Sequence, residues 1–315
     1  MLILDAEKVA ALLPYDQLID ALGEAFAADV VVPQRSHHNV PVPGGNDGTL
    51  LLMPAWQQGC GMGVKIVTVF PDNSKHDYPA VFASYFLLSA ETGVPVAVLD
   101  GTELTVRRTA AASALASTYL SREDSKRLLM VGTGNLAPHL VAAHATARPI
   151  EEVVIWGRRR EKASKLAARF VKSSFSVSVA DDLESAVPAA DIISCATLAT
   201  EPLIRGAWLK GGQHLDLVGA FKPDMREADS EALRRASVYV DTRAGALVEA
   251  GEVVQGIASG SIDEDDICGE LSQLASGKIS GRESIEAITL FKSVGTALED
   301  LAAAELAMRN HIGNN

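Results

Sequence analysis

Residues 126 to 137 read KRLLMVGTGNLA, an apolar run that ends in Gly132-Thr133-Gly134-Asn135-Leu136-Ala137. That order predicts a strand, a glycine turn and then a helix. The G-x-G-x-x-A spacing belongs to the turn that receives a dinucleotide pyrophosphate. Gly132 allows the tight turn, Gly134 lets backbone approach phosphate, and Ala137 lets the helix sit close to the strand. The helix that begins beside Asn135 and Leu136 then offers unpaired N–H groups and a partial positive charge to an anion.

The chain around this turn has two textures. Leu2 to Leu4 predicts a short strand with Asp5 capping the helix after it, and a second helix spans about Tyr15 to Ala28. Residues 29–48 read as strand and loop. The apolar runs TLLLMPAW, GMGVKIVTVF, YPAVFASYFLLS and PVAVLD follow, separated by GCG, PDNS and ETG turns. Residues 104–121 change to helical period. From Lys126 onward, strand-like and helical runs alternate: EEVVIWG, SVSVA, DIISCAT, QHLDLVG and SVYVDT are the strands. This alternation implies βαβ units and a parallel sheet. The segment ITLFKSVGTALEDLAAAELAMRN is expected to be one long helix packing back on the first half. The expected fold is α/β: a Rossmann domain over 119–291, and a discontinuous α+β domain over 1–118 and 292–315.

Bulk properties narrow the ligand classes. A net charge of −12 speaks against a nucleic-acid surface, which needs a basic patch. No apolar run is long enough to span a membrane, and the N-terminus lacks the basic region and cleavage site of a signal peptide. Cys60, Cys195 and Cys268 are scattered, which predicts reduced thiols in a cytoplasmic protein. The histidines, including adjacent His37 and His38, form no ligand spacing, so no metal is expected.

The second strand of the βαβ series decides between dinucleotides. A site preferring NAD places Asp or Glu after this strand to hold the ribose hydroxyls. Here VVIWG ends in Gly157 and runs into Arg158, Arg159 and Arg160. A guanidinium there can pair with a 2′-phosphate. The expectation is NADPH, with NADH still usable, held by Arg158 first and Arg159 second; Arg160 reads as surface.

Several stretches together resemble the ornithine cyclodeaminase/μ-crystallin family from end to end. They are MPA at 53–55, GVKIVTVFPDN at 63–73, LDGTELTVRRTAAASALA at 99–116, VGTGNLA at 131–137 and GKISGRESIEAITLFKSVGTALEDLAAA at 277–304. The resemblance implies a Rossmann domain beside a substrate-binding and dimer-forming domain, hence a homodimer. The family includes ornithine cyclodeaminases, ketimine reductases, amino-acid dehydrogenases and μ-crystallin-like NADPH-binding proteins. In cyclodeaminases, a G-G-D-C-P-G-K-x-E type segment follows the fifth Rossmann strand and its aspartate is the acid/base. The aligned residues here are Gly219 to Glu227, GAFKPDMRE, and the aspartate position is Phe221. A phenyl ring takes no proton, so that chemistry loses its base. The acid that cyclodeaminases carry two residues before Met-Pro is replaced by Leu51, which suits a hydrocarbon ring.

The resemblance therefore implies a ketimine reductase acting on Δ1-pyrroline-2-carboxylate or Δ1-piperideine-2-carboxylate. The alternatives are an ornithine cyclodeaminase and a μ-crystallin-like binding protein. It places Lys65 and Arg108 at the substrate, with Arg35 as a third candidate. Arg108 could hold the carboxylate bidentately. Arg107 is the weaker of the neighbouring pair. Lys65 sits among apolar strand residues, where a lysine needs a reason: it could bind the carboxylate or help to polarise the imine, or else snorkel to solvent. On the cofactor side the resemblance adds Thr197, Val218 and Ser293, the last closing the site from the C-terminal helix.

Overall fold

Asp5 ends one element and begins the next. Leu2–Leu4 is β1, and the Asp5 carboxylate accepts from the Lys8 amide to cap α1, Ala6–Leu12. The amphipathic α2, Tyr15–Ala27, buries Leu18, Ile19, Leu22 and Phe26. The computed structural model describes residues 1–313. The apolar runs of the first half become β2 (Ser36–Val40), β3 (Gly48–Trp56), β4 (Gly61–Val69), β5 (Val81–Ser89) and β6 (Pro95–Asp100). The PDNS turn is a single 3₁₀ stretch, Pro71–His76. α3, Gly101–Leu120, starts earlier than its alanine-rich run because the Asp100 carboxylate accepts from the Glu103 amide.

These strands form one sheet in the order β1-β6-β5-β4-β3-β2, with β1 parallel to β6 and the other pairs antiparallel. Register places Met53, Lys65, Tyr85 and Leu99 in one row across it. All four side chains are buried.

The second half alternates as expected. β7 (Arg127–Val131) leads to α4 (Ala137–Ala147), β8 (Glu152–Trp156) to α5 (Arg160–Ala168), and β9 (Ser176–Val179) to the short α6 (Leu183–Ala186). Next come β10 (Ile192–Cys195), β11 (His214–Leu217), α7 (Ser230–Arg235) and β12 (Ser237–Val240). They are followed by α8 (Arg243–Glu249), α9 (Gly251–Ala258), β13 (Ile267–Glu270) and α10 (Leu271–Ala275). Among the described residues these strands, with β14 (Thr289–Lys292), make an eight-stranded parallel sheet in the order β13-β12-β14-β11-β10-β7-β8-β9. Leu128, Leu129, Met130 and Val131 are fully buried, as expected of a parallel strand covered on both faces.

β14 overturns one expectation. The run from Ile288 is not a continuous helix. Thr289, Leu290, Phe291 and Lys292 form a strand at the centre of the parallel sheet, between β11 and β12. Thr289 is β-branched and Phe291 aromatic, which suits a strand, and Gly295 at φ +81° breaks the chain before the helix begins. The helix proper, α11, is Ala297–Gly313.

Two compact units result: Met1–Thr109 together with the chain from Thr296, and Ala110–Gly295. In the first, α11 packs on α2 and on the β3, β4 and β5 strands of the antiparallel sheet. The fold class is α/β, a Rossmann-type parallel sheet in one unit and an α+β unit in the other.

Candidate active site

In the parallel-sheet unit, a cleft of about 600 Å³ opens at the carboxyl ends of β7, β8 and β10. This is where open α/β sheets bind ligands. Gly132 and Gly134 line it. Gly132 has φ +123°, and a Cβ there would stand 2.5 Å from the Ala196 carbonyl oxygen, so only glycine fits. A Cβ on Gly134 would meet no atom within 4 Å. The backbone there faces open space in which a phosphate can approach. Asn135 is exposed and Leu136 half-buried just before α4.

The second wall carries Gly157, Arg158, Arg159 and Lys162. A Cβ on Gly157 would fall 2.7 Å from the Thr133 Cγ2 methyl, so this strand end is closed to a longer side chain unless Thr133 moves. Arg158 and Arg159 are exposed. Arg160 instead opens α5 and ion-pairs with Asp181 on the surface. Lys162 adds a third cation, which the sequence pattern did not single out because it falls inside a helix of ordinary composition.

Thr197 also lines the cleft, but its polar groups are already engaged. Its N–H and its hydroxyl donate to one oxygen of Glu227, at 2.7 and 2.8 Å. The other Glu227 oxygen accepts from the Gly219 amide at 2.7 Å. The Glu227 amide in turn donates to Glu252, at 2.7 Å, and Glu252 lies 3.1 Å from the Lys292 ammonium. Glu227, Glu252 and Lys292 are completely buried. Burial, and then the charge of Glu252, push the Glu227 carboxyl up to about 7 against the pull of Lys292 and the Thr197 bonds. Val218 is buried at the end of β11, its amide donating to Cys195. Ser293 is neither on the C-terminal helix nor on this cleft's wall. It follows β14, where its hydroxyl donates to Asp241 at 3.1 Å.

In the antiparallel-sheet unit, Lys65 and Arg108 come together around two carboxylates of α11. The Lys65 ammonium lies 2.9 and 2.8 Å from the two oxygens of Asp300. Arg108 donates to Glu299 through Nη1, and its Nε lies 3.0 Å from Asp300. All four are buried, and Lys65 is only 2% exposed, so it does not reach to solvent along the sheet. Burial and the charge of Arg108 hold the Lys65 amine down at about 8, with Asp300 and Glu299 pulling it up. The Tyr85 hydroxyl lies in the same row without a hydrogen-bond partner among the described residues, and burial raises its pKa.

Glu299 and Asp300 escape a reading by sequence spacing because their partners lie more than 190 residues away. The available signal was a carboxylate pair inside TALEDLAAAELA, flanked on both sides by leucine and alanine. Leu51 sits two residues along β3 from Met53, on the sheet face that Lys65 occupies. Arg35 is half-buried in the segment before β2. Arg107 is occupied structurally. It pairs with Glu103 at 2.6 Å, donates to the Leu13 carbonyl and stacks over Tyr15.

One further cluster has the residue types of a nucleophilic triad. The Ser194 hydroxyl donates to Asp216 at 2.6 Å, and the His144 Nε2 is 3.2 Å from the same oxygen. The serine thus faces the aspartate instead of the imidazole, and all three are fully buried in the sheet. That is a packing network, not a nucleophile with a base.

Comparison with known proteins decides the family. The model of the "Ornithine cyclodeaminase/mu-crystallin family" matches residues 1–314. The chain belongs to this family. A Δ1-pyrroline-2-carboxylate reductase of Colwellia psychrerythraea is 43% identical over 310 residues, covering 96% of this chain and 97% of that protein. Among solved structures, the Thermococcus litoralis Δ1-pyrroline-2-carboxylate reductase in complex with NADH and L-proline has a TM-score of 0.92 and 34% identity, covering all of this chain and 98% of that one. An archaeal alanine dehydrogenase dimer with bound NAD has a TM-score of 0.91 and 31% identity, again covering all of this chain and 97% of that one. The protein is an NAD(P)H-dependent oxidoreductase.

Proposed function

We propose that the protein is an NADPH-preferring ketimine reductase that converts Δ1-pyrroline-2-carboxylate or Δ1-piperideine-2-carboxylate to L-proline or L-pipecolate. The observation that carries this reading is Phe221. It follows β11 in the segment where a cyclodeaminase needs an acid/base aspartate, and it is a phenyl ring. No proton can be held there. The relatives named as Δ1-pyrroline-2-carboxylate reductases, in Colwellia and Thermococcus, support the same assignment.

The cradle fits a dinucleotide on its own geometry. Gly132 makes the tight turn against Ala196, Gly134 leaves room for pyrophosphate, and Arg158, with Arg159 and Lys162 beside it, supplies positive charge for a 2′-phosphate. The bound cofactor supplies a hydride. The chain's own residues supply the rest. Lys65 and Arg108 provide the cationic end for the substrate carboxylate and hold a proton available to the imine nitrogen. Leu51 offers hydrocarbon surface to the ring, and Arg35 is the outer candidate for the carboxylate. Fixing these groups before the substrate arrives carries much of the rate.

The enzyme is read as a homodimer. The sheet face opposite α11 carries Leu50, Leu52, Val64, Ile66, Phe82 and Phe86. Thr68 and Ser84 share this face, but its aromatic and aliphatic residues outnumber them, more than solvent exposure explains, which suits a second copy of the same face. Its three free thiols fit a cytoplasmic setting.

The deciding assay follows NADPH oxidation with each cyclic imine, beside ornithine with NAD. Turnover of an imine to the matching imino acid is expected. Proline and ammonia from ornithine, with no imine reduction, overturn the reading. Dinucleotide binding without turnover of any of these substrates points to a binding protein.

A further inference from the structure

We propose that Asp300 is a positioning residue for the reduction: it fastens the Lys65 ammonium to the Arg108 guanidinium, so that the two meet the substrate as one preset cationic pair. This rests on the ketimine-reductase reading above. Asp300 is the only residue with ion-pair contacts to both cations among the described residues, through both oxygens to Lys65 and through Oδ1 to Arg108 Nε. It is completely buried, and it sits in the first turn of α11, where helix N–H groups favour a negative charge. The cluster balances two cations against two carboxylates, Glu299 being the second, so neither lysine nor guanidinium is left as an uncompensated buried charge. The cost of desolvating Lys65 and Arg108 is thus met in advance, before any anion binds.

The groups that face Lys65 are Asp300 and Glu299 from α11, Arg108 from α3 and Tyr85 from β5. Burial and Arg108 pull the lysine pKa down, and Asp300 contributes the largest upward pull. Lys65 works as an ammonium, whether it holds the carboxylate or protonates the imine. Removing the Asp300 charge therefore brings its deprotonation to lower pH. The variant is Asp300→Asn, nearly isosteric, with Glu299→Gln as comparator because that carboxylate is bonded to Arg108 and lies further from the lysine in effect.

For Asp300→Asn, the alkaline limb of kcat/KM moves down by about one pH unit or more, and by less in Glu299→Gln. At pH 8.5 the loss is about tenfold greater than at pH 6.5. The substrate's own imine titration is common to all three enzymes, so the displacement belongs to the protein. Lys65 Nζ, followed by ¹⁵N-lysine NMR without substrate, titrates in parallel, while the dissociation constant for NADPH is unchanged. Asp300→Glu restores part of the limb.

A uniform loss at every pH, with the limb and the Lys65 titration unmoved, overturns the proposal and leaves Asp300 a structural residue. If Asp300→Asn does not fold, the unsubstituted enzyme still decides. A Lys65 ammonium whose protons exchange slowly below pH 8 supports the clamp, and a rapidly exchanging one sinks it. If the wild type reduces no cyclic imine but the Lys65 titration moves as stated, the clamp stands and the substrate reading falls.

Discussion

At the scale of single residues, charge in the wrong texture is the most informative signal. Lys65 among strand valines and isoleucines stands out as a lysine with a purpose, and the structure adds that Asp300 holds it. Lys292, in TLFKS, carries the same signal, masked by a segment that reads as helix, where a lysine is ordinary. The glycines were legible for the same reason, because Gly132 obeys a steric demand that no other residue meets. What could not be read were the anions of the pairs, since a carboxylate in a helix is ordinary until its neighbour across the fold is known. Arg158 gives the cleanest residue-scale test. It is exposed on the cleft wall, so Arg158→Ala costs little stability. Its effect falls on the cofactor: the KM for NADPH rises by about tenfold or more and that for NADH hardly changes. Equal changes for both cofactors remove Arg158 from the phosphate site.

At the scale of elements, the strands of the βαβ series were legible because fully buried strands are continuous apolar runs. The boundaries that slipped are those set by side chains outside the run, such as Asp100 starting α3 early. β14 slipped for a different reason. It is no shorter than β9 to β12, but the helical pattern of α11 begins close behind it and absorbs it. The consequence is mechanical. With β14 central in the sheet, Lys292 and Glu252 form the buried base on which Glu227 rests, and Glu227 ties the loops after β10 and β11 together through Thr197 and Gly219. In Glu227→Gln the amide group faces a backbone N–H donor, leaving a buried mismatch worth about 1–3 kcal/mol. Thermal unfolding should show that loss. Because Thr197 lines the cleft proposed for the dinucleotide, the dissociation constant for NADPH should rise with it, by about three- to tenfold. A lower melting temperature with an unchanged cofactor affinity would mean that Glu227 supports the sheet but not the cleft.

At the scale of the whole molecule, the antiparallel sheet has two faces of different character. One is covered by α11 and holds Lys65, Met53 and Tyr85, all buried. The other is equally apolar in sequence, yet its Phe82 is 46% exposed and Trp56 38% exposed. A sequence with both phases of the alternation apolar reads as a strand covered on both sides, so the chain itself hints at a second cover that the monomer's helices do not provide. A patch of this kind marks an interaction surface, and in the proposed homodimer a two-fold self-contact would bury it with one set of residues on each side. A charge at its centre would then be far costlier in the proposed dimer than in the separated chain. Ile66 is half-buried, and its register partner on β3 is Leu52. Ile66→Glu should leave the far-UV circular dichroism intact and weaken self-association by about a hundredfold or more, read by sedimentation equilibrium. Lys65, its chain neighbour, points to the opposite face, so the monomer keeps the Lys65–Asp300 pair and its ¹⁵N signal. A variant that remains as dimeric as the parent would show that this face meets something other than its own copy.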